Sequence, residues 1–206
     1  MYHSAQEIKK HYLALALICL AFIAVSAVLQ ATNGIEWASF GIIGVDDGEV
    51  WRLLTGHLIH ADWQHYAMNM LGLSLCMVVF RDDLKAFHWI TSFIFIATFS
   101  SICMYYAYFS YERYIGFSDV LHGWILVGAL AIAHKEPKFS AMIFILFWLK
   151  IAEENMEMPF FTTYGTGSGN VARESHIYGA VGGIVYSILF IDKFRTSCLN
   201  ILRLNK

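Results

Sequence analysis

The chain has 206 residues, 58% of them hydrophobic and only 15% charged, with a mean hydropathy of +0.54. Soluble domains carry about 25% charged residues, so part of this surface must face lipid. A net charge of -2 excludes the basic footprint of a nucleic-acid binder, and no nucleic-acid partner is expected.

Lys9 and Lys10 precede an apolar stretch over 12–30. That stretch exceeds the apolar core of about 7–15 residues in a cleavable signal peptide, so an uncleaved spanning helix is predicted. Residues 31–65 form a long loop with Trp37, Trp51 and Trp63 among apolar and acidic residues. Tryptophans favour the headgroup level, and short helices lying in the interface are expected there. Further apolar runs follow at 66–80, 86–109, 117–133, 139–152 and 175–191. A span needs about 20 apolar residues, so the second and fifth runs are short. The expectation is an all-α integral membrane bundle of six transmembrane helices. It forms one domain over 1–206, with residues 1–11 and 192–206 as tails. Cys19, Cys76, Cys103 and Cys198 show no CxxC spacing and read as reduced, small apolar residues.

Basic residues set the orientation. The N-tail, the 81–85 and 134–138 loops and the C-tail hold Lys9, Lys10, Arg81, Lys85, Lys135, Lys138, Lys193, Arg195, Arg203 and Lys206. The opposite side holds Arg52, Arg113, Lys150 and Arg173. Both termini are therefore expected in the cytoplasm. The two long loops, 31–65 and 153–174, then face outward, and the second, with Gly165, Gly167 and Gly169, reads as flexible.

Ionisable and polar residues within spans are costly and need a reason. His65 and Asn69 open the second span, Ser118 and His122 the fourth, and His176 the sixth. With the orientation above, all lie at one depth, just below the outer surface. Ser118 follows Gly116, which permits an unusual backbone before a helix start. Free N–H groups there favour a developing oxyanion. Serine is also a common helix cap, so Ser118 alone decides nothing. His176 lies one turn above a small-residue stripe, Gly179, Gly183 and Ser187, that lets another helix approach closely. Imidazole can take and return a proton near neutrality; an interfacial histidine is the plainer alternative. His65 and Asn69, four apart, share a face that Gly72 continues. They offer two donors for an oxyanion, or a polar pair that glues helices.

Taken together these motifs resemble a known family. Trp51 to His60, then His65-Tyr66-Ala67-Met68-Asn69, resembles the first outer loop and second helix of rhomboid intramembrane serine proteases. Gly116-Phe117-Ser118 is similar to that family's GxS, and His176 with Gly179 and Gly183 to its HxxGxxxG. The resemblance spans roughly residues 45–190. It implies a rhomboid-like six-helix bundle with Ser118 as nucleophile and His176 as base of a dyad that needs no carboxylate. It further implies His65, Asn69 and the Ser118 N–H as the oxyanion hole, Trp51 and Arg52 as loop anchors, the fifth helix as substrate gate, and no cofactor or metal. The run Gly116 to Gly123 most resembles the rhombosortases of Gram-negative bacteria. Those act in the inner membrane, on the periplasmic side, and are implicated in trimming exported proteins that end in Gly-Gly, one spanning helix and a basic tail. Most rhomboids have glycine where this chain has Asp119. Asp119 is expected to pair with a histidine such as His122, or to cap the helix, and His122 to support His176 from beneath.

Two alternatives remain at this stage. Scattered histidines (His57, His60, His65, His122, His176) could serve a metal-dependent membrane hydrolase, although HExxH is absent; stoichiometric zinc would favour it. A non-catalytic relative that holds membrane clients is the other, supported by Asp119 alone. Labelling by a serine-directed probe would separate it from a protease.

Overall fold

The computed structural model describes residues 4–107, 113–156 and 173–191. Six long helices lie among them: α1 (Ala5–Ala31), α5 (Trp63–Val79), α6 (Ala86–Tyr106), α7 (Ser118–Ile132), α8 (Pro137–Asn155) and α9 (Arg173–Phe190). Three short ones, α2 (Gly34–Ala38), α3 (Ile42–Asp46) and α4 (Arg52–Thr55), with a 3-10 turn at Gly56–Leu58, fold the long first loop. No strand occurs among the described residues; a single bridge pairs Phe40 with Tyr114.

By length and composition, α1 and α6 can each cross a bilayer, and α7 is a shorter apolar helix. Apolar side chains face outward from every long helix except α7: Leu13, Leu17 and Leu20 on α1, Leu71 and Leu75 on α5, Ile94 on α6, Ile145 and Leu149 on α8, Leu189 on α9. So broad an apolar exterior suits lipid and would be an aggregation liability in water.

Local chemistry fixes the helix starts. Ser4 and Glu7 exchange reciprocal hydrogen bonds of 3.2 and 3.0 Å at the start of α1, which satisfies two donors the helix leaves free. Asp62 accepts from the His65 N–H at 2.7 Å and sets where α5 begins. Pro137 occupies the first turn of α8, where its missing N–H costs nothing.

α7 is the central helix. Val120, Trp124, Leu126, Val127 and Ala129 are fully buried, and α5, α6, α8 and α9 all pack against it. Its tightest neighbour is α9. A methyl group at Gly179 would run into the Asp119 carbonyl, and one at Gly183 would lie 2.7 Å from Gly123 Cα. Glycine at both positions lets the two backbones touch. Phe117 wedges the start of α7 among Phe22, Phe93 and Trp124, with ring centroids 5.3 to 5.7 Å apart.

Cys19, Cys76 and Cys103 are free thiols. Cys198, the glycine-rich part of 153–174, residues 1–3 and the expected C-tail over 192–206 lie outside the described residues, while residues 5–11 of the expected N-tail belong to α1.

Candidate active site

The first loop is tied down before it reaches the site. Arg52 donates to the Ser39 carbonyl at 2.8 Å and the Glu36 carbonyl at 3.2 Å, and pairs with Glu49. Trp51 Nε1 donates to the Trp37 carbonyl at 3.1 Å. The loop then grips the segment before α7. Phe40 and Tyr114 exchange backbone bonds of 3.1 and 2.9 Å, and Gly116 N–H donates to the Gly56 carbonyl at 3.2 Å. Gly116 adopts φ +132°, a region side chains other than hydrogen rarely enter, and this turn delivers Ser118 to the first position of α7. Burial, then the nearby Asp119 charge, push the Tyr114 phenol well above its ordinary value. It therefore stays neutral and donates to the Gly116 carbonyl at 3.0 Å.

Ser118 Oγ lies 2.9 Å from His176 Nε2. His176 Nδ1 lies 2.9 Å from a carboxylate oxygen of Glu154, at the end of α8. A carboxylate only accepts, so Nδ1 carries the proton and Nε2 turns its lone pair to the serine hydroxyl. His122 stacks flat on His176, with centroids 4.1 Å apart and planes 12° apart. Its Nδ1 donates to the Ser118 carbonyl at 2.6 Å, which leaves the Nε2 lone pair to accept from Lys150 Nζ at 3.0 Å. Lys150 also pairs with Glu154.

His65 sits across Gly116 from these groups. A methyl at Gly116 would lie 3.1 Å from His65 Cε1, 3.4 Å from its Nε2 and 3.8 Å from Ser118 Oγ. His65 Nδ1 accepts a long bond of 3.5 Å from the Ala61 N–H, so Nε2 carries the proton and is a donor on the serine side. Asn69 is buried one turn along and donates to the His65 carbonyl at 3.1 Å. Gly72 continues that face and meets Leu121 of α7. His60 is fully buried beside His65, and its ring nitrogens have no partner among the described residues. Burial lowers its pKa to about 3, so it stays neutral.

Asp119 does not pair with His122. Consecutive residues on a helix point about 100° apart, and Asp119 turns away from Ser118 into the core. There its carboxylate meets His57 Nδ1 at 3.0 Å, both side chains fully buried. His57 Nε2 in turn lies 2.9 Å from Ser101 Oγ. The Asp119 carboxylate thus binds the first loop to α7.

The sequence reading missed three contributors: Glu154, Lys150 and His57. It ended the fifth span at residue 152 and left 153–174 to a loop. The available signal was Lys150 and Glu154 four apart in an apolar segment, a charged pair on one helix face. The metal alternative meets one cluster among the described residues: His122, Glu154 and His176 place ligand atoms within 4.8 Å of one another. The ammonium of Lys150 lies between His122 and Glu154 and already supplies the positive charge there.

A family model for the rhomboid domain matches residues 47–193. The chain belongs to the rhomboid family. That family comprises intramembrane serine proteases that act on membrane proteins within the bilayer, and this rhomboid is accordingly a membrane protein. No curated protein matches the chain. The matched span takes in the first-loop anchors Trp51 and Arg52, Ser118 and His176, and also Glu154 and His57.

Proposed function

We propose that this rhomboid is an active serine endopeptidase, with Ser118 as nucleophile and His176 as general base. The supporting observation is the 2.9 Å contact between Ser118 Oγ and a His176 Nε2 held in its proton-accepting form. In the reaction, the hydroxyl proton passes to Nε2 as Oγ bonds to the peptide carbonyl carbon. The oxyanion is held by the Ser118 N–H with donors from His65 and Asn69; for Asn69 this requires its amide to turn from the His65 carbonyl. His176 then returns the proton to the leaving amine, and water releases the acyl-enzyme by the same steps in reverse.

The distribution of Lys and Arg supports a bundle of six spans with both termini in the cytoplasm, and the half-buried Ser118 then opens to the periplasm of a Gram-negative inner membrane. The proposed substrates are exported proteins anchored by a C-terminal Gly-Gly, one spanning helix and a basic tail, as for a rhombosortase. Glycine suits such a site because it weakens the helix that otherwise hides its carbonyls. The test is co-expression with a reporter carrying that tail. The native chain should trim it near the Gly-Gly, Ser118→Ala and His176→Ala should not, and replacing Gly-Gly by Ala-Ala should slow the cut. Equal trimming by all three chains sinks the proposal.

A further inference from the structure

A Ser–His pair in a rhomboid is expected to work without a carboxylate. In this chain Glu154 nevertheless lies against the far nitrogen of the histidine, 2.9 Å from His176 Nδ1. Its side chain is only 15% exposed, and that of His176 7%. A glutamate so placed at the end of an apolar helix is costly unless its charge is answered. Lys150, one turn earlier on the same face, answers it. The other contact of Lys150 is the His122 lone pair, and His122 lies flat beneath His176 while donating to the Ser118 carbonyl. The imidazole is therefore fixed on three sides: Ser118 at Nε2, Glu154 at Nδ1 and the His122 ring on its face.

We propose that Glu154 is a positioning residue for the reaction, held ionised and in place by Lys150, so that the working unit is Ser118–His176–Glu154. This rests on the assignment of Ser118 and His176 made above. The role of Glu154 is to select the tautomer. With Nδ1–H committed to the carboxylate, Nε2 is always the acceptor that Ser118 needs. Without Glu154 the ring can carry its proton on Nε2 and present a donor to the hydroxyl, a form unable to act as base. When His176 takes the serine proton it becomes a cation, and Glu154 balances that charge with no rearrangement. Lys150 acts one step further out. It keeps the carboxylate charged and, through His122, couples its position to the ring below the base.

The test uses the full chain in nanodiscs with a membrane-anchored peptide substrate. Glu154→Gln should lower kcat by about 100-fold or more, within the range for general acid–base support, with KM little changed. Glu154→Asp should recover part of that loss, and Lys150→Met should cost less than Glu154→Gln. A purely structural role would instead move the melting temperature and KM together, and Asp would rescue no better than Gln. An activity-independent readout accompanies this. A far-downfield Nδ1–H proton resonance, assigned by its absence from His176→Gln, should be present in the native chain and in Ser118→Ala and lost in Glu154→Gln. Glu154→Gln with native kcat, or a resonance that survives it, overturns the role of Glu154. A native chain that shows the resonance but cleaves nothing would instead count against Ser118 as nucleophile and leave the Glu154–His176 bond established.

Discussion

Two chains of serine, histidine and carboxylate run through this molecule, one on either side of the start of α7. In one, Ser118 meets His176 Nε2 at 2.9 Å and His176 Nδ1 meets Glu154 at 2.9 Å. In the other, Ser101 meets His57 Nε2 at 2.9 Å and His57 Nδ1 meets Asp119 at 3.0 Å. Their heavy-atom geometry is nearly the same, and in both the carboxylate accepts from Nδ1–H. The Ser101 hydroxyl has one proton and two acceptors facing it, His57 Nε2 and the Leu53 carbonyl at 2.9 Å. The surroundings differ. Asp119, His57 and Ser101 are fully buried, whereas Ser118 is half-buried at a helix start with free N–H donors nearby. Catalytic potential therefore lies in access to water and in donors for an oxyanion, and distance alone does not distinguish the chains.

The most severe way to probe that contrast is to remove each serine. Ser118→Ala should abolish cleavage, a loss of at least about 1,000-fold, as expected for a nucleophile, while leaving unfolding in denaturant unchanged. The α7–α9 contact comes next. Gly179→Ala forces a methyl against the Asp119 carbonyl and should part the helices that carry Ser118 and His176. A misplacement near 1 Å costs about 100-fold in rate, so substrate turnover should fall by that order even in folded protein.

On the buried side the effect should appear in stability. Asp119→Ala leaves the His57 Nδ1–H buried without its acceptor and should cost about 1–3 kcal/mol in reversible denaturant unfolding. His57→Ala combined with it should cost less than the two single changes added together, because each already removes the same pair. Ser101→Ala leaves His57 Nε2 and the Leu53 carbonyl unpaired and should cost about 1–3 kcal/mol. Native-like trimming by folded Ser101→Ala would sharpen the contrast, and loss of trimming with stability intact would break it. At neutral pH the smallest effect is that of His60. Its pKa falls from 6.5 to about 3 on folding, so its neutral form is favoured in the folded state. That contribution is complete above pH 6.5 and disappears as pH falls toward about 3. His60→Leu should therefore flatten the loss of melting temperature over that window.

Much of this was legible in the sequence, for reasons tied to particular residues. Apolar runs announced the helices because lipid tolerates little else, and the folded first loop followed from its tryptophans and breaks in hydropathy. Gly116 before Ser118, and Gly179 and Gly183 after His176, are positions where only glycine fits the backbone, so they stand out without coordinates. The partners of Asp119 and His176 did not. His57 is 62 residues from Asp119 and Glu154 is 22 from His176, and neither pair has a spacing that marks contact. The sequence allowed Asp119 to pair with a histidine such as His122 or to cap the helix; its partner is a histidine, His57, because the side-chain directions on α7 send Asp119 into the core and His122 beneath His176. Glu154 fell just past the point where hydropathy ended the fifth run, since a charged pair lowers the apolar average at the place where it supports the site.

Everything turns on Ser118 being the one activated hydroxyl, and labelling with a fluorophosphonate probe in native membranes reads that directly. The account predicts a single adduct on Ser118, present in the native chain and in Ser101→Ala and absent from His176→Ala. An adduct on another serine, or an unlabelled native chain that is demonstrably folded, would contradict it.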